Sequence, residues 1–355
     1  MDSRERVVAA TERRRPDRPP VDLTLTPEAT ARLQAYLGVT TETEVLDCLD
    51  VDMRRIGLPF TGPAERSAVP LGSEGIDFWG CRLRKVETGI NTYFEWEGHP
   101  LADCKTVADV EAYDWPILDW WDYDAMPQLI EEQNAAGRRA IMFFAGGAFE
   151  TPWYLRGLEQ FLIDLRQQPE VAEAIARKVE EYYRLRALRV LAVAGDKIDL
   201  IGSGGDIGTQ RGTMLNPNLW RRHIKPYTGR LIGTFKALGY KTFYHSCGSI
   251  VPVIPDLIEV GLDLLDPIQP QAAGMNPEAL FEAFGDRLSF HGGIDEQELL
   301  PHGTAGEVYR ETTRIIDVLG RNGGYVVAAA HNVQRDTPPE NVVAMCQAAR
   351  DYRWQ

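Results

Sequence analysis

The chain is poor in the residues that staple or anchor a protein. Its five cysteines (Cys48, Cys81, Cys104, Cys247 and Cys346) are few for 355 residues, odd in number and far apart. That excludes a disulfide framework and suits a reduced, cytoplasmic protein. No segment is long or apolar enough to cross a bilayer, so no membrane is expected. A basic cluster is lacking too: the net charge is −14 and the cations are scattered, which leaves no positive face for nucleic acid or an anionic membrane. The opening MDSRERVVAATERRRPDRPP has no apolar stretch and does not read as a secretory signal. It reads as an amphipathic first helix stopped by Pro16, Pro19 and Pro20. Several motifs are missing as well: GxGxxG after an early strand, the phosphate loop GxxxxGK[ST], GxSxG, HExxH and CxxC. Their absence counts against a nucleotide-binding sheet, a serine hydrolase, a zincin, thioredoxin-like redox chemistry and phosphoryl transfer.

What is present is a regular alternation from residue 139 onward. Short apolar runs occur at 139–147, 197–206, 241–249, 262–269, 287–295 and 324–332, rich in Val, Ile, Phe and Tyr and ending in Gly, Asp, Asn or His. They suit buried parallel strands. Between them, 169–195 has helical spacing, and 217–239 starts with Pro217 in its first turn, with Pro226 predicting a kink. Earlier, VDLTL (21–25) reads as a strand, PEATARLQAYLG (27–38) as a helix and NTYFEWEG (91–98) as an antiparallel strand. Trp79, Trp96, Trp115, Trp120 and Trp121 read as packing anchors, with substrate contact the second reading. With no internal repeat or linker, residues 1–355 are expected to form one α/β domain. A closed barrel is favoured over a doubly wound sheet, because the nucleotide fingerprints are missing.

An α/β barrel carries its active site at the carboxyl ends of its strands. Those ends here supply Asp206, His245 and Cys247, Asp266 and Gln269, His291 and Asp295, and His331 and Asn332. His245 and Cys247 stand two apart on an extended strand end and share a face, an imidazole and thiol pair suited to Zn²⁺. The alternative is a packed thiol beside a hydrogen-bonded histidine. His331 at another strand end would complete a His–Cys–His set with an open fourth position, the pattern of catalytic zinc. Asp206, after a glycine-rich turn, is either a substrate or acid–base residue or a helix cap, with Thr209 and Gln210 as polar neighbours. His291 is either scaffold or site. His99, His223 and His302 read as surface or packing residues.

In order along the chain, RPDRPPVDLTLTPEATARLQAYLG, LDVDMRRIGLPFTGP, HPLADCKTVADVEAYDWP, GGDIGTQRGTMLNPNLWRRHIKPY, the run YHSCGS through HGGID (244–295) and TPPENV (337–342) resemble the uroporphyrinogen decarboxylase superfamily. That superfamily includes zinc-dependent methyltransferases serving corrinoid proteins. The resemblance implies a single distorted (β/α)₈ TIM-type barrel with an N-terminal helical and hairpin extension. The true decarboxylases carry an Arg-rich R-Q-A-G-R stretch after the first strand, where this chain reads VDLTLTPEAT without arginine.

The methyltransferase branch binds zinc with H-x-C plus a late cysteine. Here H-x-C is His245 and Cys247, and His331 stands at the late position. An imidazole in place of a thiolate makes the site one unit more positive and a stronger Lewis acid toward an ether oxygen. The resemblance therefore implies transfer of a methyl group from a small methoxylated or methylated substrate to cobalamin on a partner corrinoid protein. Asp206 and Gln210 are the expected catalytic residues, while Trp153, Tyr154, Gln269 and His291 are expected around the substrate. A homodimer is implied by the family alone. The alternative is a decarboxylase or lyase of a small carboxylated substrate in the same pocket.

Overall fold

A computed structural model describes residues 1–67, 74–87 and 92–354. Seven parallel strands form one sheet in the order β1 (Met53–Ile56), β5 (Ala140–Gly146), β6 (Leu200–Gly204), β7 (Lys241–His245), β8 (Leu264–Ile268), β9 (Ser289–Ile294) and β10 (Tyr325–Ala329). A separate antiparallel sheet contains β2 (Gly75–Ile76), β3 (Arg82–Glu87) and β4 (Thr92–Gly98). The six apolar runs from residue 139 onward all supply strands, and their buried backbones pair with both neighbours.

The eighth place in the barrel belongs to residues 20–25. Asp22 N–H donates to the Val327 carbonyl and Val327 N–H to that of Pro20, while Asp52 N–H donates to the Val21 carbonyl. The segment thus bridges β10 and β1 and closes the barrel. It is held by isolated bridges at Val21 and Leu25 rather than a continuous ladder, a distortion of the regular fold. β1 was not legible as a strand. Its MRRI carries two arginines, and Arg54 is buried because its guanidinium reaches the Val51 and Met53 carbonyls and Asp47.

Side chains two apart along a strand share a face, so successive layers line the barrel interior. The lower layer holds Met53, Met142, Leu200, Phe243, Leu264 and Val326, and Val7 and Ala10 of the first helix (Ser3–Thr11) pack against it. That helix seals the bottom of the barrel. Two residues further along their strands come Arg55, Phe144, His245 and Asp266, with His245 beside Asp266; the stagger of the barrel sets Arg55 level with Met142 and His291 level with Val326. The helix expected over 217–239 is two, Pro217–His223 and Lys225–Ala237, broken at Ile224 with Pro226 in the first turn of the second. Trp79 and Trp121 are buried against Tyr182 and Tyr183 of the long helix Pro169–Ala194, so they act as packing anchors.

Candidate metal centre

His245 is the last residue of β7, and the chain beyond it turns tightly to present Cys247. Gly248 takes φ +77°, and a side chain there would strike the Thr209 backbone, so only glycine suits the turn. Neighbouring loops pin the turn from both sides. The Asp206 carboxylate accepts the Cys247 N–H at 2.8 Å, Gln269 Oε1 accepts the Gly248 N–H at 2.5 Å, and Ser249 N–H donates to the Thr209 carbonyl. The Cys247 thiol therefore faces His245 Nε2 at 3.4 Å. His331 approaches from the loop after β10, its ring 5.7 Å from that of His245.

One donor atom from each of His245, Cys247 and His331 lies within 4.8 Å of the other two. Tetrahedral zinc, with bonds of about 2.0–2.3 Å, spaces its donors roughly 3.3–3.8 Å apart. The His245–Cys247 distance matches, and a His331 nitrogen lies within 4.8 Å of both donors. Burial pushes the Cys247 thiol up, while the His245 imidazole opposes that shift. Burial and the charge of His245 push the His331 imidazole down, which favours the neutral form a metal ligand needs. Two nitrogens and one sulfur on partly exposed side chains are a donor set that fits zinc.

Behind His245 runs a chain of alternating charges around the barrel wall. His245 Nδ1 meets Asp266 Oδ2 at 2.5 Å, and Asp266 Oδ1 meets His291 Nδ1 at 2.5 Å. His291 Nε2 meets Asp22 Oδ2 at 2.8 Å, and Arg55 grips Asp22 with two N–H groups at 2.9 and 2.6 Å. A neutral imidazole has a single N–H, so His291, facing a carboxylate at each nitrogen, is held as imidazolium. Burial alone would depress it, but Asp266 and Asp22 outweigh burial and push it up to about 9. The two carboxyls sit far below their ordinary range despite burial, held there by Arg55 and His291. The chain ends in a Nδ1–H donated to Asp266, which leaves Nε2 of His245 for the metal position.

This arrangement assigns several expected residues. His291 is 3% exposed with both nitrogens engaged, so it braces Asp266 and has no nitrogen to offer a substrate. Gln269 is also buried and holds the Cys247 turn instead of lining a pocket. Asp206 lies at the site, 3.7 Å from His245 Nε2. Gln210 stands exposed at the rim, where its carbonyl accepts from Ala273. Trp153 and Tyr154 pack at 4.2 Å, and Trp96 of the hairpin lies 4.2 Å from Tyr154 on its other side.

Four contributors escaped sequence reasoning: Asp22, Arg55, Phe144 and Glu150. Phe144 is 41% exposed, an unusual figure for a strand aromatic, because it faces the open mouth beside Gly204. Glu150 follows the β5 turn, and its carboxylate accepts from the Tyr154 hydroxyl. Its signal was a lone acid amid Phe149, Trp153 and Tyr154.

Comparison with known proteins agrees with this architecture. The uroporphyrinogen decarboxylase family model matches residues 94–352. Uroporphyrinogen decarboxylase of Thermus thermophilus is 27% identical over 131 residues, 36% of this chain and 35% of that one. The enzyme of the same name from Wigglesworthia glossinidia brevipalpis is 34% identical over 56 residues, 16% and 15% of the two chains. The matches thus span about a third or less of these curated relatives. A methyltransferase from Methanosarcina mazei shares the fold with a TM-score of 0.74 over 99% of both chains, at 16% identity.

Proposed function

Because the chain belongs to the uroporphyrinogen decarboxylase family, we propose that its barrel mouth is a zinc site for methyl transfer from a small methoxylated or methylated substrate to a corrinoid protein. The observation that carries this reading is the convergence of His245, Cys247 and His331, 86 residues apart at the extremes, on one open-sided donor set. Zinc held there would act as a Lewis acid on the oxygen that loses the methyl group, and the reduced corrinoid would supply the nucleophile. The chain's own residues do the rest. Cys247 contributes the one thiolate, Asp266 orients His245, and Asp206 fixes the Cys247 turn while facing the substrate space. Phe144, Trp153 and Tyr154 give that space an apolar wall, which excludes water from the reacting oxygen. Gln210 is assigned to the rim, where it would meet a bound substrate. The reading treats residues 1–355 as one catalytic barrel working in the reduced cytoplasm; all five cysteines are free thiols.

The names of the curated relatives favour a second reading, a decarboxylase or lyase using the same mouth. Two measurements separate them. Protein purified without chelator should hold close to one zinc per chain, lost in His331→Ala, and should demethylate a methoxylated substrate in the presence of cob(I)alamin. Retention of activity after complete chelation, or zinc far below one per chain, would refute the methyl-transfer reading.

A further inference from the structure

We propose that Glu150 is a catalytic acid of this site and gives its proton to the oxygen that parts from the methyl group. The inference rests on the methyl-transfer reading and adds the source of the proton.

Glu150 opens the short helix Glu150–Arg156, directly after the turn that ends β5. That turn is drawn hard against β6: a Cβ on Gly147 would stand 1.8 Å from the Gly204 carbonyl oxygen, so only glycine permits the approach. A Cβ on Gly205 would lie 3.6 Å from the Glu150 nitrogen, which shows how closely Glu150 neighbours the loop that carries Asp206. The Glu150 backbone thus adjoins the loop that carries Asp206, and the two carboxyl groups are near enough to act on each other. They are held differently. Asp206 accepts the Cys247 N–H and lies 3.7 Å from His245 Nε2. Glu150 accepts from the hydroxyl of Tyr154, whose ring packs against Trp96 and Trp153. Among the described residues, no Lys, Arg or His lies within 4.0 Å of its carboxylate.

The groups facing Glu150 are Asp206 from the β6 loop, His245 from β7 and Tyr154 from its own helix. Burial, and then the charge of Asp206, push the Glu150 carboxyl up to about 7, against the smaller opposing effects of Tyr154 and His245. A buried carboxyl with a second acid beside it and no cation of its own is set up to donate a proton. The other residues expected around the substrate are poorer donors: Gln210 is an amide at the exposed rim, His291 is locked between two carboxylates, and the Tyr154 hydroxyl, its acidity weakened by burial, already donates to Glu150.

The step balances. The C–O bond breaks and its electron pair stays with oxygen. The methyl carbon bonds to the Co(I) centre of the reduced corrinoid acceptor using the cobalt's electron pair. The Glu150 O–H bond breaks and its proton goes to the oxygen, so an alcohol or phenol leaves in place of its anion. Glu150, now a carboxylate, recovers a proton from water before the next turnover.

Glu150→Gln keeps the shape and removes the proton, and zinc content measured alongside checks that the metal site survives. The first readout is pH-difference infrared spectroscopy of the wild-type protein. A protonated-carboxyl band should disappear as pH rises through about 7 and be missing from Glu150→Gln; Asp77, also pushed up to about 7, contributes its own band to both proteins. The second readout is single-turnover methyl transfer from donors of graded leaving-group basicity. Loss of a general acid should cost about 10²–10⁴-fold for alkyl methyl ethers and far less for activated aryl ethers. A carboxyl ionised throughout this pH range, or a loss equal for every donor, overturns the inference alone. Wild-type, zinc-loaded protein that transfers no methyl group from any donor overturns the methyl-transfer reading and the inference with it.

Discussion

At the scale of single residues, the site depends on charges that stabilise one another. Asp266 is the hinge of the chain, since it accepts from both His245 and His291. Asp266→Asn preserves shape but can no longer demand an N–H from both rings, so His245 loses its fixed tautomer. Zinc affinity should fall about 10–100-fold, read by competition with a chromophoric chelator. Unchanged affinity would mean that Asp266 does not orient the ligand. The same chain predicts how stability varies with pH. His291 is raised on folding, so its contribution is complete below its ordinary value of about 6.5 and is lost as pH climbs through about 9. Asp22 and Asp266 are depressed, so theirs is complete above the ordinary carboxylate range and lost only in strong acid. Unfolding free energies from urea titrations should therefore lose about 1–3 kcal/mol between about pH 6.5 and 9–10 through His291. Below that window the raised Glu150 and Asp77 carboxyls already lower them as pH climbs from about 4.5 to 7. Stability that keeps rising to pH 9 would show His291 to be neutral.

At the scale of elements, legibility followed burial. The runs 139–147, 241–249 and 324–332 announce strands because both faces are covered and every side chain can be apolar. MRRI stays silent, since its arginines are solvated by carbonyls and carboxylates that only the fold brings near. VDLTL does meet two neighbours, but only through bridges from Val21 and Leu25 to Val327 and Val333 on one side and the Asp52 N–H on the other. His245, Cys247, His331 and Asp206 were legible because strand ends concentrate in one mouth. Asp22, Arg55 and Glu150 were not, because their partners lie far away in sequence and no spacing rule connects them.

The β3–β4 hairpin also acts as an element, reaching the mouth through Trp96 on Tyr154, whose carbonyl accepts from His99 Nδ1. Trp96→Ala removes one wall of the Tyr154–Glu150 pair. Turnover should fall about tenfold, the loss of a ring contact worth about 0.5–1.5 kcal/mol, while zinc content stays constant. A parallel loss of zinc would place Trp96 in the metal site's support.

At the scale of the whole molecule, the N-terminal segment and the barrel are a single construction. Asp52, fully buried, binds Arg6 at 2.6 Å and Arg18 at 2.8 Å and accepts the Val21 N–H. One carboxylate thereby ties the bottom helix, the closing segment 20–25 and β1 together. Asp52→Ala leaves two guanidinium groups without their buried counter-charge and should cost about 3–5 kcal/mol by urea unfolding. Because Asp52 lies at the opposite end from His245, folded protein should still bind zinc normally.

Among the described residues, the first helix covers the barrel floor and leaves the mouth at the strand carboxyl ends as the way in. If a bulky acceptor must lean into the entrance that the small donor also uses, the two cannot arrive in either order. The donor has to be seated first, and the spent molecule has to wait until its visitor has gone. Such a queue makes binding compulsory-ordered, with the traffic set by a nine-residue helix that never touches a reactant.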